Sequence, residues 1–323
     1  FPSGQAWLDE TGPRTPDPLE WARHVQEAAR ILEKQEQSSI QSLLYTDPRY
    51  PQRLLHIPDA PCLLFVKGVA EFNTSHALGV VGTRDATAYG LQITEQWVAS
   101  LAKYGCAIVS GLARGIDRAA HQSALRGSLP TWAVLAHGLH CAQPASNRHL
   151  AEDILAKGGA WVSEWPHGVA PQIGAYPRRN RLIAGMSDGL WVVEAAIKSG
   201  AGISAQFAHQ YDRSVFALPG RISDVRSHGC LDLIRRQVAQ LVTDTSQIAE
   251  DLGWSPLLQH EIKEENEVPD DHQKIRRALM QGPLRVAAIE ASAGLSSPRC
   301  LAALAEMIWL GTLRVQAGYY ALA

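Results

Sequence analysis

Lysine is scarce in this chain. Of 30 basic residues among 323 only 7 are Lys and 23 are Arg, so positive charge is carried by planar, permanently ionised guanidinium groups that suit phosphate. Cysteine is scarce too. Cys62, Cys106, Cys141, Cys230 and Cys300 lie scattered, with no CxxC pair and no histidine at metal-ligand spacing, which argues against a disulfide scaffold and a zinc module. No metal and no cofactor is expected, and the five read as small buried hydrophobes in a reducing compartment. Long apolar runs are missing as well. Nothing approaches the roughly 20 residues of a membrane helix, and residues 1–30 carry neither a basic n-region nor an apolar h-region. A cytoplasmic protein with no membrane segment is the expectation. There is no GxxxxGK[ST], so a P-loop nucleotidase is not indicated.

What is present fits an ordinary globular protein of about two domains: 46% hydrophobic, 19% charged, net charge −2. The chain opens on Phe1, and residues 18–36 place Leu19, Ala22, Val25, Ala29 and Leu32 at mostly three- and four-residue steps, a helical stripe. Residues 1–45 thus read as a helical segment, the remnant or end of a small unit. From 77 onward, apolar runs ("ALGVVG", "CAIVSG", "WAVLAHG", "AWVSEW", "LWVVEA", "SVFALPG", "AQLVT") alternate with helical patterns closed by glycine. Continuous apolar strands between helices predict a doubly wound, mostly parallel α/β sheet buried on both faces, over 46–254. Residues 255–271 hold six acids against one lysine and read as an acidic linker. Over 272–323 three helical stripes and a glycine-split hairpin outline a winged-helix-like domain, for DNA or for protein.

Three strand ends carry unusual chemistry. In "VVGTRDATAYG", Gly82 permits a sharp turn, Thr83 offers a hydroxyl and Arg84 stands at the next helix's anion site; this turn is not GxGxxG. In "SGLARGIDRAAHQSAL", Ser110, Gly111 and Gly115 surround Arg114, with Asp117 and His121 four apart on the following helix. Backbone amides with Arg114 could hold phosphate; Asp117 reads rather as a helix-start residue with His121 its neighbour. In "AYPRRNRLIAG", Arg178, Arg179 and Arg181 flank Asn180, read as a loop feeding a helix N-terminus. Lys198, Ser199 and Gly200 form a further anion-friendly turn after Glu194. Tyr89, Tyr176 or Trp165 could stack on bases, or be partly buried core.

"VGTR", "SGLARGID", "YPRRNRLIAG" and "VVEAAIKSG" through "VFALPG", in that order and spacing, closely resemble the DNA-processing protein A family over about residues 45–250. The resemblance implies an extended Rossmann-like domain that binds single-stranded DNA without sequence preference, forms a homodimer and helps load a RecA-type recombinase in natural transformation, without being an enzyme. It implies phosphate-facing roles for Gly82, Thr83, Arg84, Ser110, Gly111, Arg114, Gly115, Arg179, Asn180 and Arg181. Two positions depart from the family pattern. "QPASN" has Gln143 in place of Tyr but keeps Asn147, and "GCLD" has Leu231 where Asn is common. The alternative is a phosphoribohydrolase-like enzyme with Glu194 as its carboxylate, although that family's PGGxGT turn is missing.

Overall fold

A computed structural model describes residues 18–257, 270–280, 282–309, 312–316 and 318–322. The chain divides into two units, 1–257 and 258–323.

The first unit is built on one nine-stranded sheet. Helix α1 (Pro18–Gln37) leads to β1 (Ile40–Leu44), which pairs antiparallel with β2 (Leu63–Gly68) in the register Ile40↔Lys67 to Leu44↔Leu63. Of the helical expectation for 1–45, residues 1–17 lie outside the described residues, 18–37 are helical, and 40–44 are corrected to a strand, whose Ile40 and Leu43 are buried in two different cores, on the opposite faces that an odd spacing gives a strand. The seven apolar runs form β3 (Ala77–Val81), β4 (Ala107–Ser110), β5 (Thr131–Val134), β6 (Ala160–Ser163), β7 (Gly189–Val192), β8 (Ser214–Ala217) and β9 (Gln240–Leu241). Their spatial order is β1-β2-β6-β5-β4-β3-β7-β8-β9, with β2 antiparallel to β6 and every pair from β6 to β9 parallel.

Helices cover both faces, which is why the strands read as unbroken apolar runs. In β3, Ala77 and Val81 face a core with Leu182 and Ala205, while Leu78 and Val80 face another with Val98 and Ile116. The first core is shared with α5 (Ala175–Gly185) and α6 (Gly200–Gln210). The second is covered by α2 (Ala88–Ser100) and α3 (Ile116–Arg126), and α4 (Arg148–Ala156) closes a third patch. Trp191 of β7 stacks on Trp97 of α2 at 4.8 Å. Between β8 and β9 lies α7 (His228–Arg235), and α8 (Thr245–Asp251) follows β9.

The second unit has α9 (Asp270–Leu279), α10 (Val286–Ala293), α11 (Ser297–Trp309) and an antiparallel hairpin, β10 (Leu313–Gln316) with β11 (Tyr319–Leu322). Leu284 bridges Tyr320 beside that hairpin. Ile275, Leu279, Ile289, Cys300 and Leu304 form its core. Most of the acidic segment, 258–269, lies outside the described residues. Asp270 and Asp271, placed in the linker by composition, are instead the first turn of α9, where the positive helix end favours carboxylates.

Candidate functional site

Strand order reverses between β3 and β7, because α5 carries the chain from β6 back across the sheet. In open parallel sheets the crevice at such a switch point is where ligands bind. A cavity of about 330 Å³ lies there, lined by Gly82, Thr83, Arg84, Tyr176, Arg179 and Ser199 among others. A second, of about 360 Å³, adjoins it and is lined by Arg84, Arg114, Gln143, Ser146 and Arg179.

The β3 and β4 turns touch through backbone. Ile116 N–H donates to the Thr83 carbonyl at 3.3 Å; a Cβ on Gly115, whose φ is +76°, would strike that carbonyl, and one on Gly82 would strike Ile116. Glycine is required at both places by close approach, and at Gly115 by a left-handed backbone too. Thr83 N–H donates to the Glu194 carbonyl at 2.8 Å, joining the ends of β3 and β7.

The amides of the second turn are already occupied. The buried Asp117 carboxylate accepts from Gly111 N–H at 3.2 Å and Ala113 N–H at 3.4 Å, so it ties down the preceding turn as well as starting α3. Burial raises its pKa, with the Arg179 charge opposing. His121 does not join it: its Nδ1 lies 2.6 Å from Thr131 Oγ1. Asn147, fully buried, donates to the carbonyls of Leu112 and Ala113 at 2.9 and 3.1 Å. Ser110 is turned away from the crevice, its hydroxyl donating to Val80 O at 2.6 Å. Asn147 and Ser110 therefore shape the turn from behind, and Arg114 stands exposed with no partner among the described residues.

The arginine cluster is not a loop before a helix. It lies within α5, which starts at Ala175 and accommodates Pro177 in its first turn, where no intrahelical N–H is needed. The arginines then part. Arg178 is exposed, its guanidinium 5.3 Å from the Trp165 ring centre. Arg179 is 5% exposed, donates to the Val134 carbonyl at 2.7 Å and leaves Nε unpartnered; burial lowers its pKa. Arg181 points the other way, donating to the Asp59 carbonyl at 2.6 Å and pairing with the carboxylates of Glu164 and Asp59. It anchors the helix and presents no free charge. Asn180 donates to the Gly200 carbonyl at 3.1 Å, fixing α5 to the start of α6.

Ser199 caps α6 by accepting from Gly202 N–H at 3.3 Å, and Lys198 sits beside it, exposed, at φ +57°. Glu194 is 3% exposed, and its carboxylate accepts from both the amide and the hydroxyl of Thr87. It braces the start of α2, which removes the observation that favoured a catalytic carboxylate. Local patterning gave no sign of two other contacts: Arg84 lies 5.3 Å from the Tyr176 ring centre, and Arg226 pairs with Asp85, clamping the β8–α7 loop to the β3 turn. At the departures, Gln143 lines the second cavity, and in "GCLD" Gly229 N–H donates to Ala195 O at 2.7 Å.

Fold and site together define a class: a doubly wound, mostly parallel α/β protein whose strand-end crevice is walled by arginine. A sequence model of DNA recombination-mediator protein A matches residues 41–253, and the chain belongs to that family. It is 41% identical over 248 residues to Protein Smf of Synechocystis, covering 76% of this chain and 62% of that protein. It is 36% identical over 224 residues to DNA processing protein DprA of Bacillus subtilis, covering 69% and 75%. Against Protein Smf of Escherichia coli, 44% identical over 205 residues, it covers 64% of this chain and 54% of that one. The chain thus spans under two thirds of the length of both Smf relatives. DNA processing protein A of Streptococcus pneumoniae matches in structure at TM-score 0.67 and 36% identity, over 76% of this chain and 84% of that one. The Helicobacter pylori protein, solved for its single-stranded DNA binding mode, matches at 0.60 and 29%, over 67% and 97%.

Proposed function

We propose that this chain binds single-stranded DNA, without regard to sequence, in the crevice at the carboxyl edge of its sheet. One observation carries the reading: Arg84, Arg114, Arg178 and Lys198 stand exposed around one strand edge, without a carboxylate paired to them among the described residues, while the neighbouring buried polar groups hold the turns in place. Such an edge tracks a phosphate backbone, and Tyr176 and Trp165, each beneath a guanidinium, supply faces for unstacked bases. The protein acts by binding, not turnover. It works in the cytoplasm as a homodimer that delivers incoming strands to a RecA-type recombinase during transformation; the resemblance to the DNA-processing proteins supports this wider role.

The second unit is a poor candidate for the main DNA contact. The outer side of α11 exposes Leu301, Ala302, Ala305 and Ile308, and Arg299 is held by Asp271 at 2.8 Å. A winged-helix-like protein contact suits that surface better, and deletion of 258–323 leaves strand affinity within about tenfold.

Fluorescence anisotropy with a labelled oligothymidylate and a matching duplex, titrated over salt, tests the reading. Preference for the single strand is expected, with a log–log salt slope of about −0.7 per phosphate contacted, and Arg84→Ala weakens it. No preference, or an Arg84→Ala protein with unchanged affinity, overturns it.

A further inference from the structure

The strand-end crevice does not account for all the unpartnered positive charge of the first unit. Arg118 is exposed on α3, one residue past the Asp117 that ends "SGLARGID" and given no role by the sequence, and has no partner among the described residues. With Gln122 and Arg126 it forms a row at four-residue steps, one face of the helix, each step about 6 Å along the axis. Across from this row lies α4, and between the two helices runs an open groove of about 340 Å³, lined on the α4 side by His149, Asp153 and Lys157.

The groove is continuous with the crevice. Ser146 lines both it and the cavity that holds Arg114; Arg118 lines both it and the hollow that begins at Arg84. Its charges are unevenly compensated. Arg126 shares its charge with Glu95 at 3.3 Å and His149 faces Glu152 at 3.8 Å, which leaves Arg118 and Lys157 against the single carboxylate of Asp153. Leu125 and Leu150 supply apolar walls, and the lining has no Phe, Tyr or Trp, its one ring being the imidazole of His149 beside Glu152. A basic groove with its cations set along a helix face and no Phe, Tyr or Trp in its lining suits a phosphodiester backbone rather than a compact anion or an unstacked base.

We infer that a strand seated in the crevice continues into the α3–α4 groove, where Arg118 and Lys157 hold its backbone. This rests on the reading of the crevice as a single-strand site and extends it to longer substrates. The groove adds affinity only for strands long enough to leave the crevice, and it adds it through phosphate alone.

The test compares labelled oligothymidylates of about six and about twenty nucleotides, lengths spanning ordinary single-strand site sizes, on the full chain. The wild type binds the longer strand more tightly and with a steeper salt slope. In Arg118→Ala/Lys157→Ala that slope shrinks by about 1.4, two contacts at about 0.7 each, while the short strand binds as before. Gln122→Glu, which places a negative charge mid-row and leaves the Lys157 bond to the Leu125 carbonyl intact, reproduces the selective loss if the double variant does not fold. Equal slopes for both lengths in the wild type overturn the groove and leave the crevice standing, as does an equal loss for both lengths in the variants. A wild type that binds neither strand overturns the crevice reading as well.

Discussion

Arg179 lies so close against Gly111 that a methyl group on the glycine would overlap its guanidinium. The contact joins the start of the crossover helix α5 to the end of β4. Gly111→Ala therefore displaces a buried cation and breaks its bond to the Val134 carbonyl. A destabilisation of about 1–3 kcal/mol is expected from overpacking, read as a lower urea midpoint. Stability equal to wild type would show that Arg179 moves aside freely.

Two arginines of α5 separate stability from binding. Arg181→Met removes the cation from beside Glu164, whose side chain is 18% exposed and whose pKa burial already raises. About 3 kcal/mol is lost, the lower end for a broken buried pair because Glu164 keeps some contact with water. Arg178→Ala leaves the unfolding midpoint in place and weakens strand binding. Equilibrium unfolding and anisotropy on the same two proteins check the division; a reversed pattern refutes it.

Tyr176 is the ring to test for stacking. Tyr176→Ala lowers oligothymidylate affinity by roughly 1–3 kcal/mol, the range for one stacked base, while Tyr176→Phe restores it because the ring is retained. Failure of the phenylalanine variant to rescue would point to the hydroxyl instead.

His121 gives the fold a pH dependence. Burial, helped by the nearby Arg179 charge, holds its pKa down at about 3 against an ordinary 6.5. Between these values the unfolded chain binds the proton and the native chain does not, so this group's stability contribution is complete above about 6.5 and declines as the pH falls toward 3. His121→Gln, which keeps a polar group near Thr131, flattens that part of the curve. Urea midpoints measured from neutral to acid pH check it, and an unchanged slope would reassign the acid sensitivity to other groups.

The sheet was legible from the sequence because its signal is local. Each of β3 to β8 is a short run buried on both faces, so composition alone marks them, whereas the short edge strand β9 is exposed and was marked only by the apolar stretch around it. Glycine at 82 and 115 was legible for the same reason: a sharp turn between an apolar strand and a helix needs a residue without a Cβ. The edge strand β1 was less legible, since Ile40 and Leu43 are its only fully inward side chains and the preceding helical stripe runs up to them.

The arginines of α5 mark where sequence stopped deciding. Their abundance and clustering are written in the chain, and so is the strand-end position that makes the region a candidate for anions. Their separate fates are not. Successive residues of a helix diverge by about 100°, and what each side chain meets is supplied from far away in the chain: Trp165 for Arg178, Val134 for Arg179, Asp59 and Glu164 for Arg181. Residue type and spacing determined that this chain makes a parallel sheet with a basic edge. Only the tertiary structure decided which cations face water, because burial and pairing are properties of neighbours that the folded sheet brings together.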